Sequence, residues 1–346
     1  MGAKENIQKR NSAIDLLRII ACFMVIVNHT IAWVFWESEP NAKWFLSVTY
    51  FFVSKIAVPI FVMISGYTLL NKQDSYRNAF KRIMRIVEVL LLFSFVYYCN
   101  ECFLNNTEIS IKLFLEKVIY QPSTTAFWYL YLYLGILVMM PFLQKMVPSF
   151  QKRDFEIFFL ISGFIYGVSP ILEHYNSKFR YAVDFETPLF SSYICLLFVG
   201  YYIRKYVQKN KKWLIGSVVV FILATAFNVF MTFYEYHRLN GENYLFFDNR
   251  VYLPILIESV CVFYFVLNIK IKEKWSKIIS IIGGCTFGIY LLADMLTGKL
   301  IFVYQNLAAK CMYPIVTIVI YEIIIFMAGL ILTYIMKKIP ILKNLV

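Results

Sequence analysis

The stretch Ile14-Asp15-Leu16-Leu17-Arg18-Ile19-Ile20-Ala21-Cys22-Phe23-Met24-Val25-Ile26-Val27-Asn28-His29 sets an aspartate, an arginine and a histidine inside what otherwise reads as a membrane-crossing helix. Ionisable groups at that depth cost several kcal/mol unless they face a protein interior or a wet cavity, so they mark an intramembrane site. Arg18 and His29 are eleven residues apart. At 3.6 residues per turn that spacing returns them to one helix face, about 16 Å apart along the axis. A plainer reading has Arg18 snorkelling to the cytoplasmic surface and His29 among the outer headgroups. Asp15 and Arg18, three apart, also suit a local ion pair.

Outward from this stretch the chain stays apolar. Of its 346 residues 60% are hydrophobic and the mean hydropathy is +0.64, against about half apolar in soluble domains. A water-soluble core is excluded, and an all-α polytopic membrane protein is expected. The first apolar stretch is too long for a signal peptide, is broken by Asp15 and Arg18, and lacks a small-residue cleavage site, so it is expected to persist. The net charge of +13 sits in short connections between apolar segments, which points to membrane topology and away from nucleic acid. The seven cysteines read as small buried hydrophobes with no metal-ligand spacing, and no metal is expected; Cys99 and Cys102 form one Cys-x-x-Cys near the outer end of the third span.

Ten segments have about the 20 apolar residues a spanning helix needs. They are Ala13 to Phe35, Trp44 to Leu70, Ile83 to Leu104, Ala126 to Val147, Phe155 to Leu172, Pro188 to Tyr206, Trp213 to Tyr236, Val251 to Ile269, Ile278 to Tyr304 and Cys311 to Met336. The second and ninth are long enough to be tilted, broken or extended. With the N-terminus inside, inner segments carry 23 Lys and Arg against nine outside, which places both termini in the cytoplasm. Residues 1–346 are therefore expected to form one transmembrane domain, with 1–12 and 337–346 as cytoplasmic ends.

An arginine and a histidine with ten residues between them in the first span resemble the signature of acyltransferase family 3, integral-membrane enzymes that use acyl-CoA. Further landmarks follow in the family's order: Lys55-Ile-Ala-Val-Pro59-Ile-Phe-Val-Met-Ile-Ser65-Gly66-Tyr67, the basic run Lys81-Arg82-Ile-Met-Arg85, Phe127-Trp128-Tyr129 before Met140-Pro141, and Gly288-Ile289-Tyr290-Leu291. The layout is most similar to the branch that O-acetylates enterobacterial common antigen. Two positions depart from the family pattern: Ala126 and Ala293 stand where it commonly has histidine.

The resemblance implies that His29 is the catalytic histidine and Arg18 its companion. An imidazole titrates near neutrality and can deprotonate a hydroxyl or amine attacking a thioester. Lys81, Arg82 and Arg85 read as anchors to anionic lipid, or, from the resemblance, as contacts for the phosphates of the donor, acetyl-CoA in the first instance. Lys55 lies near mid-membrane and needs an anion, with Glu88, Glu258, Asp294 and Glu322 as possible partners. Ser65 and Tyr67 flank a glycine that either admits a ligand or packs helices. Trp128, with Tyr129, Tyr131 and Tyr133, reads as an aromatic belt at the outer interface, and Tyr290 belongs to the late motif. The favoured function is transfer of an acyl group to a hydroxyl or amine of an envelope glycan or smaller acceptor, in the cytoplasmic membrane and with oligomerisation open. The rival classes are a transporter or exporter of a glycan or small polar molecule, and a non-catalytic member of the family.

Overall fold

Asn11 caps the first helix by accepting the amide of Ala13 at 3.0 Å, and the apolar run behind it carries the helix on to Thr30. In this computed structural model the described residues are 11–35, 39–176, 191–241, 253–311, 313–340, 342–343 and 345–346. Lys4, Lys9, Arg10, Lys178, Arg180 and Arg250, part of the charge count above, lie outside them. The regular structure of the described residues is helical: α1 (Ser12–Thr30), α2 (Ala32–Phe35), α3 (Ala42–Ser54), α4 (Ala57–Leu69), α5 (Tyr76–Asn105), α6 (Ile111–Tyr120), α7 (Trp128–Met146) and α8 (Lys152–Gly163). They continue as α9 (Ser169–Tyr175), α10 (Ser192–Tyr206), α11 (Lys211–Arg238), α12 (Leu253–Asn268), α13 (Glu273–Lys299), α14 (Ile301–Ala308) and α15 (Pro314–Met336).

Among the described residues eight helical segments are long and apolar enough to cross a membrane, and they coincide with eight of the ten expected spans. The other two contain α10 and α12, whose described lengths are 15 and 16 residues; residues 188–190 and 251–252 of those expected spans lie outside the described residues. Lipid-facing flanks are apolar, as Ile222, Leu223 and Phe230 of α11 and Ile323 and Ile331 of α15 illustrate. The chain is an all-α, multi-pass membrane protein.

The two long spans are indeed broken. Pro59 has no amide hydrogen for the Lys55 carbonyl and its ring crowds that oxygen, so α3 ends at Ser54 and α4 begins at Ala57. The ninth span stops at Lys299 and resumes as α14. The third starts earlier than expected: Ser75 caps α5 at Tyr76, so Lys81 and Arg82 ride on the same helix as Arg85 instead of preceding it. His174 and His237, just beyond the expected ends of the fifth and seventh spans, are in the last turns of α9 and α11.

Lipid tails are as apolar as leucine, so association rests on close packing. A Cβ on Gly66 would overlap the Leu197 carbonyl, and one on Gly200 the Met63 carbonyl. This reciprocal contact joins α4 to α10, and it gives Gly66 to helix packing. Gly283 meets Asp15 in the same way, joining α13 to α1, and Gly288 meets Thr333 of α15. Helix α1 supplies side chains to both large apolar clusters: Leu17 and Ala21 pack with α4 and α10, while Val25, Ile26 and Val27 pack with α13 and α15. It is the post between two packed bodies.

Candidate functional site

Two cavities lie along α1. The first, about 250 Å³, is lined by Asn28 and His29 of α1, Ser54 and Lys55 at the break, Trp128 and Tyr129 of α7, Tyr193 of α10 and Tyr290 of α13. The second, about 260 Å³, is lined by Arg18, Ser65, Thr68, Tyr133 and Thr286 among others. Phe61, Tyr129 and Tyr290 border both. The shared face expected for Arg18 and His29 is thus a face toward two adjoining chambers.

Nδ1 of His29 lies 3.7 Å from Oδ1 of Asp294, both side chains mostly covered. This is an ion-pair distance and longer than a hydrogen bond. The carboxylate is held in place: Thr124 donates its hydroxyl to Oδ2, and the Ala126 amide donates to the same oxygen at 3.0 Å. Tyr290, one turn before Asp294 on α13, donates its hydroxyl to the Ala126 carbonyl at 2.5 Å. Ala126, one of the two positions that depart from the family pattern, therefore lines the His29 chamber, while Ala293, the other, directly precedes the aspartate that pairs with His29. Asp294 lies four residues after Tyr290 of the late motif, a spacing that puts both on one helix face and is the sequence signal for this contact.

Lys55 lines the His29 cavity within electrostatic reach of the imidazole, its Nζ 4.2 Å above the Phe51 ring. Of the acids it was matched with, Asp294 pairs with His29 and two more bond to other groups. Glu322 accepts the hydroxyls of Thr30 and Tyr50, each at 2.7 Å, Glu258 accepts the Asn228 amide at 3.0 Å, and Glu88 is exposed.

In the second chamber Arg18 donates to Asp15 at 2.9 Å, and Ser280 donates to the other Asp15 oxygen at 3.1 Å. A third of the Arg18 side chain stays accessible (34%), against none of Asp15. The ion pair and the functional reading therefore coexist: Asp15 anchors one side of the guanidinium and the rest faces the cavity. Tyr133 faces Ser65 and lies within electrostatic reach of Arg18, Arg82 and Arg85. The expected aromatic belt divides accordingly. Trp128 stands 40% exposed at the rim, while Tyr129 and Tyr133, four apart on α7, turn inward and stack at 6.0 Å.

The remaining expected contacts lie elsewhere. Arg82 is held in a fork by Asp74, at 2.5 and 3.0 Å, and Gln144 donates to the same carboxylate at 3.0 Å. The guanidinium bonds keep the Asp74 carboxyl below its ordinary range, with burial opposing. Lys81 and Arg85 are exposed on α5. Tyr67 borders neither cavity: its ring packs on Phe263 and its carbonyl accepts from Arg204 at 2.7 Å. Among the described residues no three His, Cys, Asp or Glu side chains are grouped to hold a metal.

No solved structure matches the chain. A curated relative is an amino-acid racemase of Enterococcus faecalis, 24% identical over 292 residues that cover 77% of this chain and 39% of that protein. The chain thus spans about two fifths of the length of the curated relative it matches. The acyltransferase domain family matches residues 11–338, which include α1 to α15 with both chambers. The chain belongs to this family, acyltransferase family 3.

Proposed function

We propose that the protein moves a short acyl group, acetyl in the first instance, from acyl-CoA to a hydroxyl or amine of an envelope glycan or smaller acceptor. The observation that carries this reading is the pairing of a His29–Asp294 chamber with an Arg18 chamber across one common wall. With Nδ1 of His29 toward Asp294, Nε2 is the nitrogen free to act as base. It takes the acceptor proton as the acceptor oxygen adds to the thioester carbonyl. As the carbon–oxygen bond forms and the carbon–sulfur bond breaks, the departing sulfur receives that proton from the imidazolium, which restores neutral His29. Asp294 holds the ring and balances its transient charge; Lys55 favours anionic character in the same chamber.

On the donor side Arg18 offers the accessible part of its guanidinium, and Ser65 and Thr68 offer hydroxyls. Lys81 and Arg85 stand where phosphates would approach from the cytoplasm, the side on which the Lys/Arg asymmetry puts both termini. We read residues 1–346 as one transmembrane unit in the cytoplasmic membrane. The test is reconstituted protein incubated with radiolabelled acetyl-CoA and a panel of hexosamines and envelope glycolipids. Label appearing in an acceptor, with one free thiol released per transfer, supports the reading. Acceptor moving across the vesicle wall with no acyl transfer would replace it with an exporter.

A further inference from the structure

The wall between the chambers is made of three rings: Phe61 of α4, Tyr129 of α7 and Tyr290 of α13. They pack in series, Phe61 to Tyr129 with centroids 5.8 Å apart and Tyr129 to Tyr290 at 6.3 Å, edge to face at 83°. Two of the three are held from a second side. The Tyr290 hydroxyl is bound to the Ala126 carbonyl, and Tyr129 stacks on Tyr133, which faces Ser65. Phe61 is different. It carries no polar group, and its carbonyl already accepts the Ser65 hydroxyl at 3.1 Å, so its backbone is fixed while its ring is held by packing alone.

A donor held at Arg18 and a base at His29, about 16 Å further along α1, meet at one carbonyl only if the acyl end crosses this wall. We propose that the three rings are the aperture for that crossing, that Phe61 is its movable leaf, and that the opening restricts the enzyme to short acyl chains. The proposal rests on the acyl-transfer reading above. Rings packed at these distances leave no standing gap for an alkyl chain, so a ring must turn, and every further methylene has to be housed among the same aromatic edges. Tight apolar sites distinguish one methylene by about 10- to 200-fold. A wall that closes behind the acyl group also keeps the solvent of one chamber from the thioester in the other.

The test uses the full chain in proteoliposomes, with acetyl-, butyryl- and hexanoyl-CoA as donors and an N-acetylhexosamine as acceptor, reading free thiol and acylated sugar. Wild type should prefer acetyl over butyryl by at least about tenfold, the lower bound for such discrimination. Phe61→Ala should narrow that preference to within a few-fold and admit hexanoyl; Phe61→Trp should slow even acetyl. If Phe61→Ala does not fold, Phe61→Leu should show the same change in smaller degree. An active Phe61 variant with the wild-type chain-length profile overturns the aperture and leaves the acyl-transfer reading standing. A folded wild type that uses none of the donors removes that reading and the aperture together.

Discussion

Asp294 of α13 reaches His29 of α1 across the helix interface, with 3.7 Å between Oδ1 and Nδ1. The carboxylate is already fixed from a third element, through the Thr124 hydroxyl and the Ala126 amide. In the proposed mechanism this pairing leaves Nε2 as the base, and Gly283 packed against Asp15 marks the close approach of the two helices.

If Asp294 orients His29, Asp294→Asn should fold, because the amide oxygen can still accept from Thr124 and Ala126. Turnover should fall by up to about 10²-fold, the lower end of what a positioned acid–base group contributes, with little change in donor KM. Steady-state rates on the reconstituted variant check this; an unchanged kcat would detach Asp294 from the chemistry.

The membrane class and most helix positions were legible because about 20 apolar residues in a row have few other fates. For the second span a break was one of three fates its length left open, beside tilt and extension, and Pro59, four residues after Lys55, is the physical reason it breaks there. What the sequence hid were pairings between distant segments. Tyr129 and Tyr133 look like interface aromatics until α4 and α13 are seen packed on their inward face. Arg82 reads as a free cation because Asp74, its partner, lies across a turn whose shape periodicity does not describe. Tyr67 follows Ser65 by two residues, a turn of about 200° on a helix, which sends one to the chamber and the other to Phe263.

The Asp74–Arg82 fork should make stability depend on pH in a defined direction. The Asp74 carboxyl is held below its ordinary value by the guanidinium bonds. Its contribution is therefore complete above the unfolded aspartate value of about 3.9 and disappears as pH falls through the lower folded value. Thermal midpoints in detergent should drop on acidification for wild type. Asp74→Asn should begin lower at neutral pH and drop less. Equal slopes for the two proteins would contradict this.

Gly66→Ala should disrupt the α4–α10 crossing, because the added methyl has only the Leu197 carbonyl to displace. Overpacking of this kind costs about 1 to 3 kcal/mol, read as a lower melting temperature, and Gly200→Ala should match it. Gly216, with open space around its missing Cβ, is the control, and Gly216→Ala should leave the midpoint nearly unchanged.

Arg18→Ala and Arg82→Ala should differ in kind. Arg18 faces its chamber with part of the guanidinium accessible, so its loss should raise donor KM as well as slow turnover, a charge-assisted contact being worth about 1.5 to 3 kcal/mol. Arg82 is engaged by Asp74, so its loss should lower the melting temperature more than the donor affinity. Donor titrations paired with melting curves separate the two, and identical behaviour would refute the assignment.

The most direct measurement is acyl transfer by His29→Ala, made on protein shown by its melting curve and donor binding to be folded. If His29 is the general base, turnover should fall by about 10² to 10⁴, the usual contribution of a positioned acid–base group, while donor affinity holds. A folded His29→Ala protein that transfers acyl groups at a near wild-type rate would contradict the central claim.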